Sequence, residues 1–355
     1  MTRYHLVLHR SFDLEQMEHD ADADRGPRHV LAAVQRHLDA RVHQPATAAD
    51  VRWYDRVFGR AVGLPEQWAQ ARAVVGQLAP GDVVFAHDHS AFLIGLLGRL
   101  RRRGPRVCMP VTWPDGARMR ILGRWLALKR VVDVFIVNTN TKADTLRHRL
   151  AVPAASIVVE PEQTDLRFFR PDPDAPRNAV PLVYAAGREG RDYATLGEAV
   201  HDLDVEVLVC AISASTTDPT TMTVPEPMPS NMRFEPLDWV PFRDAYQRAD
   251  VVVVPLLDRL GSPGLTVIME AMACKRPVIA TRTAGYVEDL VDGDYVIGVP
   301  PGDASALRAA ITAVLADPSA AAAMSERAYE LMTRCHSPEH FVETIVTTMR
   351  ELAVT

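Results

Sequence analysis

The stretch Val251–Thr281, VVVVPLLDRLGSPGLTVIMEAMACKRPVIAT, constrains the fold more than any other part of the chain. Val251–Val254 is a continuous β-branched run stopped by Pro255, the pattern of a strand buried on both faces of a parallel sheet. Gly261-Ser262-Pro263-Gly264 is turn chemistry, and Ser262 or Pro263 suits the first positions of a helix. The helix that follows sets Leu265, Ile268, Met269 and Met272 on an apolar face and stops before Pro277. Pro277–Thr281 is the next strand. A βαβ unit of this kind presents backbone N–H groups at the helix start, where a phosphate can bind. Glu270 falls about one turn further in, near the same mouth.

The alternation of strand and helix runs through the whole chain, so the fold class is α/β. At 355 residues the chain is long for one domain, and two domains are expected. Strands are predicted at Tyr4–His9, Asp82–Ala86, Val107–Val111, Val131–Asn138 and Ser156–Glu160. Pro161, Pro171, Pro173, Pro176 and Pro181 then interrupt the pattern and mark a domain boundary. Beyond them the same alternation restarts with Leu182–Ala186, Val205–Ala211 and Met232–Phe234. Helices Ala304–Ala316, Ala320–Thr333 and Pro338–Leu352 close the chain. This predicts two Rossmann-like domains facing each other across a cleft, 1–172 and 173–336, with the last helix, about 337–355, packing back on the first.

Composition narrows the function. The net charge of -6 argues against nucleic acid as the main partner, since phosphate-backbone binding needs a basic footprint. Cys108, Cys210, Cys274 and Cys335 are far apart, with no C-x-x-C pair, as in a reducing compartment. The N-terminus has too short an apolar run for a signal peptide, and no uncharged span is long enough for a bilayer, so a cytoplasmic protein is expected.

The first half carries several features with two readings each. The acidic segment holding Asp13, Glu15, Glu18, Asp20, Asp22 and Asp24 is either a solvated surface element or a lid over a cationic acceptor. Trp53, Tyr54, Phe58 and Trp68 punctuate a helical pattern and are read as packing, not as a cofactor box. His87-Asp88-His89 follows a strand, where open α/β sheets bind ligands. Its spacing matches no strong metal motif, which favours a structural or acceptor-contacting role. The arginines around Arg99–Arg106 complement a helix C-terminus. Arg118–Arg130 is a basic amphipathic stretch that either faces a core with one solvated side or lies on an anionic membrane.

Four segments together resemble a GT-B glycosyltransferase of the glycosyl transferases group 1 type, the large retaining family with sucrose, mannosyl and natural-product transferases. Ala151–Pro171 is similar to the family's pre-hinge segment, with Asp165, Phe169 and Pro171 in register. Ala186-Gly187-Arg188 followed by Arg191 resembles the segment that clamps the donor diphosphate. Ala249–Pro255 resembles the strand before the motif. Gly264–Thr283, with Glu270-Ala271-Met272-Ala273 and Pro277-Val278-Ile279-Ala280, resembles the diagnostic motif itself. The dinucleotide pattern G-x-G-x-x-G is absent, which counts against a nicotinamide enzyme.

The resemblance implies a metal-independent, retaining hexosyltransferase that uses a UDP- or GDP-sugar as co-substrate and needs no cofactor. Arg188 and Arg191 would stabilise the departing diphosphate. Gly187, Ser262, Gly264, Leu265, Thr266 and Glu270 would bind the donor, with Glu270 on the ribose. His87, Asp88, Thr112 and Trp113 would meet the acceptor, and the acidic segment favours a small polar or cationic one, such as an aminocyclitol or another specialised metabolite. A lipid acceptor at a membrane surface and a non-catalytic nucleotide-sugar-binding protein stand as alternatives. The chain departs from the family pattern in five places, one being that the first strand lacks the usual glycine-rich loop. Ser262 stands where a sugar-contacting glutamate is usual, and Arg191 replaces a lysine. Lys275 replaces a helix-ending glycine and is expected in a left-handed or otherwise altered cap. Val111-Thr112-Trp113-Pro114 lacks the histidine often found near the reacting sugar.

Overall fold

The computed structural model describes residues 2–102, 104–111, 128–176, 178–211, 222–258, 264–283 and 286–354. They form two compact units. The first comprises 1–19, 29–161 and 339–355, and the second 20–28 and 162–338.

In the first unit six parallel strands, β1 (Tyr4–Val7), β2 (Arg41–His43), β3 (Val83–Ala86), β4 (Arg106–Pro110), β5 (Val134–Val137) and β6 (Ile157–Val159), take the order β2-β1-β3-β4-β5-β6. Helices α1 (Leu14–Asp22), α2 (Val30–Leu38), α3 (Trp53–Ala61), α4 (Pro65–Gln77), α5 (Asp88–Leu100) and α6 (Asn140–Leu150) are interleaved with them. Alternate strand residues face opposite cores, as the two-residue period of a strand requires. Val84, Ala86, Val107 and Met109 join one apolar cluster, whereas Val83, Phe85 and Cys108 join the other.

The second unit repeats the plan with β7 (Leu182–Ala186), β8 (Glu206–Cys210), β9 (Met232–Phe234), β10 (Val251–Val254), β11 (Val278–Thr281) and β12 (Ile297–Val299), in the order β12-β11-β10-β7-β8-β9. Its helices are α7 (Tyr193–Val200), α8 (Trp239–Arg248), α9 (Leu265–Ala273), α10 (Tyr286–Asp292), α11 (Ala304–Ala316) and α12 (Pro318–Cys335). The last helix, α13 (Pro338–Val354), belongs to the first unit from Glu339 onward. There Val342, Ile345, Val346 and Met349 fill the cluster that holds Leu6 and Leu8.

Lys275 ends α9 with φ 54°, the left-handed conformation expected where a glycine is usual. Its N–H donates to Met272 O and that of Arg276 to Ala271 O, which closes the helix end.

The acidic segment is not a free patch of carboxylates. Residues 20–28 form a strap on the second unit. Asp24 accepts two hydrogen bonds from Arg170, at 2.8 Å each, and one from Arg243 at 2.9 Å. Asp20 pairs with Arg25 and Asp22 with Arg28. The Arg28 N–H donates to Asp165 at 2.7 Å. The strap answers internal arginines, so these acids give no support to a lid over a cationic acceptor. Arg170, first, and then Arg243 hold Asp24 down at about 2. The pairing therefore stabilises the fold fully above the ordinary carboxylate pKa and is lost as pH falls through about 2. With Asp24 half exposed, Asp24→Asn should cost about 1 kcal/mol at neutral pH, a difference that shrinks on acidification. Urea melts across that range, compared with the acceptor KM, check it: a large rise in KM with unchanged stability would restore the lid.

One further expectation changes. Trp53 and Phe58 were read as packing, yet they are 73% and 49% exposed. The stretch 112–127, which contains most of the basic amphipathic segment, lies outside the described residues, as do Thr112, Trp113 and Ser262.

Candidate functional site

An open parallel sheet leaves a crevice at the C-terminal ends of two adjacent strands whose connections leave in opposite directions. In the second unit those strands are β7 and β10. After β7 the chain turns through Gly187 and Gly190, with φ 92° and 64°. Arg191 then forms an isolated bridge to Leu256, just past β10. This turn points the Arg191 side chain back over the strand ends. Its Nε donates to Ala186 O at 2.8 Å and one terminal nitrogen donates to Glu189 O at 2.7 Å.

The guanidinium is seated between two glycines. A Cβ at Gly187 would lie 2.3 Å from Arg191 Nη2, and one at Gly264 would lie 2.7 Å from Val254 Cγ1 and 3.5 Å from Arg191 Nη1. Both glycines also have left-handed φ, 92° and 86°. Any side chain at either place would displace the arginine or strain the turn. Gly264 caps α9, so the free N–H groups of the first turn, at Leu265 and Thr266, lie at the same strand ends as the cation. Thr266 is exposed there and Leu265 is buried. Arg188 is half-buried on the same loop. The structure thus brings together Gly187, Arg191 and the start of α9.

Glu270 lies in the second turn of α9, and only 6% of it is exposed. The Tyr246 hydroxyl, from α8, donates to its Oε2 at 2.8 Å. Burial pushes the Glu270 carboxyl up to about 8, against the opposing pull of the Tyr246 hydroxyl and the Arg191 charge. Burial likewise pulls the Arg191 guanidinium below the usual arginine range. Tyr193 braces the turn, its hydroxyl donating to Gly187 O at 2.6 Å. Sequence reasoning missed Tyr193 and Tyr246. Each comes from a helix whose partner strand is known only once the sheet order is.

The corresponding crevice of the first unit lies between β1 and β3. His87 and Asp88 stand at its β3 side, where the loop was expected to meet the acceptor, and Asp88 takes φ 40°. The His87 ring packs 4.8 Å from that of His9, which follows β1. His29, at the start of α2, lies against Phe12 at 4.8 Å. Burial drives His87 down to about 3 and His29 to about 4, with the neighbouring imidazoles adding to the effect. These rings are neutral at physiological pH and suit hydroxyl groups better than anions. His9 and His29 were not singled out from sequence, because their convergence depends on β1 pairing with β3. Among the described residues no group of three His, Cys, Asp or Glu side chains is placed to hold a metal ion. No helix among them is long and apolar enough to cross a membrane.

The chain is similar to several known proteins. Residues 215–317 match the family model "Glycosyl transferases group 1". A GDP-mannose-dependent alpha-(1-6)-phosphatidylinositol monomannoside mannosyltransferase of Mycolicibacterium smegmatis is 31% identical over 198 residues, 48% of this chain and 50% of that protein. The match thus spans about half the length of this curated relative. Sucrose-phosphate synthase from Thermosynechococcus elongatus has a similar fold, with TM-score 0.71 and 19% identity over 99% of each chain. So has Anabaena HepE, solved with UDP and glucose, with TM-score 0.64 and 14% identity over 99% of this chain and 100% of that one. Residues 215–317 therefore match the glycosyl transferases group 1 model, and the chain has a two-unit α/β fold of the GT-B kind.

Proposed function

We propose that the protein is a retaining glycosyltransferase that moves a hexosyl group from a UDP- or GDP-sugar to a small polar acceptor. The observation that carries this reading is the Arg191 guanidinium, seated between Gly187 and Gly264 at the N-terminus of α9. A nucleotide diphosphate gains negative charge as the glycosidic bond breaks. A fixed cation and a row of free backbone N–H groups at one crevice favour that charge, and each such donor is worth roughly 3 kcal/mol. Arg188 supplies a second cation from the same turn, and Glu270 receives the ribose hydroxyls. The acceptor hydroxyl attacks from the leaving-group face and passes its proton to the departing phosphate, so no protein nucleophile is required. On the first unit, His87, His9 and Asp88 orient the acceptor hydroxyl.

The guanidinium groups take the charge-neutralising role that a divalent cation plays in other transferases, so turnover should persist in excess chelator. Thermal-shift screening against UDP, GDP and their sugars, GDP-mannose among them because of the mannosyltransferase relative, identifies the donor. A nucleotide sugar present at about 100 times its Kd adds about 2.7 kcal/mol of stability. A panel in which no nucleoside diphosphate raises the melting temperature would overturn the proposal. Slow donor hydrolysis that disappears in Arg188→Ala would separate an enzyme from a protein that only binds nucleotide sugars.

A further inference from the structure

Helix α3 of the first unit is turned inside out. Its sequence, WYDRVFGRA, would ordinarily bury Trp53 and Val57. Instead Trp53 is 73% exposed, Val57 51% and Phe58 49%, with Leu64 beside them at 55%. The face turned inward carries Asp55 and Gly59. Asp55 is 1% exposed, accepting from the Arg52 N–H and from Arg72, each at 2.8 Å. Gly59 lets the next turn approach so closely that a Cβ there would lie 2.7 Å from Pro65 N. A buried, hydrogen-bonded cap and a glycine contact thus fix the rotation of the helix and leave its apolar arc outside. Phe58 of the exposed arc packs on Trp68, with ring centroids 5.0 Å apart.

Charge accompanies the apolar residues. At 100° per residue, Arg56 and Arg60 fall next to Trp53 on the exposed side, and among the described residues neither makes an ion pair. Arg52 follows the same edge and bonds the Tyr54 hydroxyl at 2.8 Å. Of the nearby acids, Asp55 is buried in its pairing with Arg72, Asp50 is engaged with Thr47, and Glu66 remains on the rim. Arg56 and Arg60, with Glu66, also line an open cavity of about 330 Å³.

We infer that α3 is a docking surface for anionic phospholipid bilayers, with Trp53, Val57 and Leu64 entering the interface and Arg52, Arg56 and Arg60 meeting lipid phosphates. An exposed tryptophan beside aliphatic side chains and a row of arginines matches the interfacial type of helix, whose apolar face sinks to the acyl boundary while its cations stay at the headgroups. Charge complementarity commits the surface to a bilayer. A second copy of the chain would bring the same three arginines against themselves, because a two-fold interface repeats one patch on both sides.

The test is co-sedimentation of the whole protein with vesicles of phosphatidylcholine, with and without phosphatidylglycerol, at low and high salt. The wild-type chain should bind the anionic vesicles, and salt should weaken the binding. Arg56→Ala with Arg60→Ala should lower the partition coefficient about 30-fold, at about fivefold per arginine. Trp53→Ser should lower it about tenfold, and Trp53 fluorescence should be quenched by brominated lipid. Circular dichroism melts matching the parent would show that the exposed substitutions leave the fold intact. Absence of wild-type binding at low salt, or equal binding by parent and variants, would overturn the inference. So would sedimentation velocity showing a dimer that Trp53→Ser dissolves, with no vesicle binding.

Discussion

Arg191→Ala and Arg188→Ala should each lower kcat for sugar transfer by about 10²–10³-fold, and Arg191→Ala should also lower thermal stability. The two arginines leave the same turn but differ in burial. Arg191 is 3% exposed and donates to Ala186 O and Glu189 O. Its removal leaves those carbonyls without their donor inside the fold, at about 1–3 kcal/mol for each group left unsatisfied. Arg188 is half-buried on the loop. Arg191→Lys keeps the charge but not the fork that reaches both carbonyls, so it should fall between parent and alanine in both measurements. Steady-state kinetics well below the lowest melting temperature separate the two effects. If Arg191→Ala melts early yet turns over at the parental rate when folded, the arginine is a strut and the proposed diphosphate site is wrong.

The parts legible in the sequence are those where one short segment decides its own environment. Leu182–Ala186 and Val251–Val254 are unbroken apolar runs, and such runs fit only strands covered on both faces. Lys275 was legible because a helix that must stop there has few ways to do so. The three-residue strands β2 and β12 were missed. They carry too few residues for a periodicity and are defined by the neighbours they pair with. The helical pattern over α3 was legible but not its rotation, since what points it outward is the capping bond of Asp55 and the Gly59–Pro65 contact. The strap was opaque for a different reason: Asp24 finds its cations in Arg170 and Arg243, far along the chain. The site divides in the same way. Gly187, Arg191 and Gly264 are marked by local motifs, whereas His9 joins His87 only through the β1–β3 pairing.

Glu270 yields the second large effect, and it is a pH effect. Burial holds its carboxyl up at about 8 in the folded chain, far above the ordinary glutamate value. Between those two values the folded state binds the proton that the unfolded state has lost, so this group makes stability fall as pH rises. The stabilisation is complete below the unfolded pKa, and it is gone once the pH passes about 8. Glu270→Gln, which retains an oxygen for the Tyr246 hydroxyl, should flatten that fall. It should be more stable than the parent at pH 9 by on the order of 3 kcal/mol. Ligand binding runs the other way. Ribose hydroxyls donating to Glu270 favour the ionised carboxylate and lower its pKa. Nucleotide binding near pH 7 should therefore release up to about one proton, and affinity should rise with pH until it levels off near 8. Calorimetric titrations in buffers of different ionisation enthalpy measure the proton directly, and Glu270→Gln should bind more weakly and release none. A parent that binds nucleotide with the same heat in every buffer, and a glutamine variant that binds equally well, would remove Glu270 from the ribose contact and leave it a buried helix residue held by Tyr246.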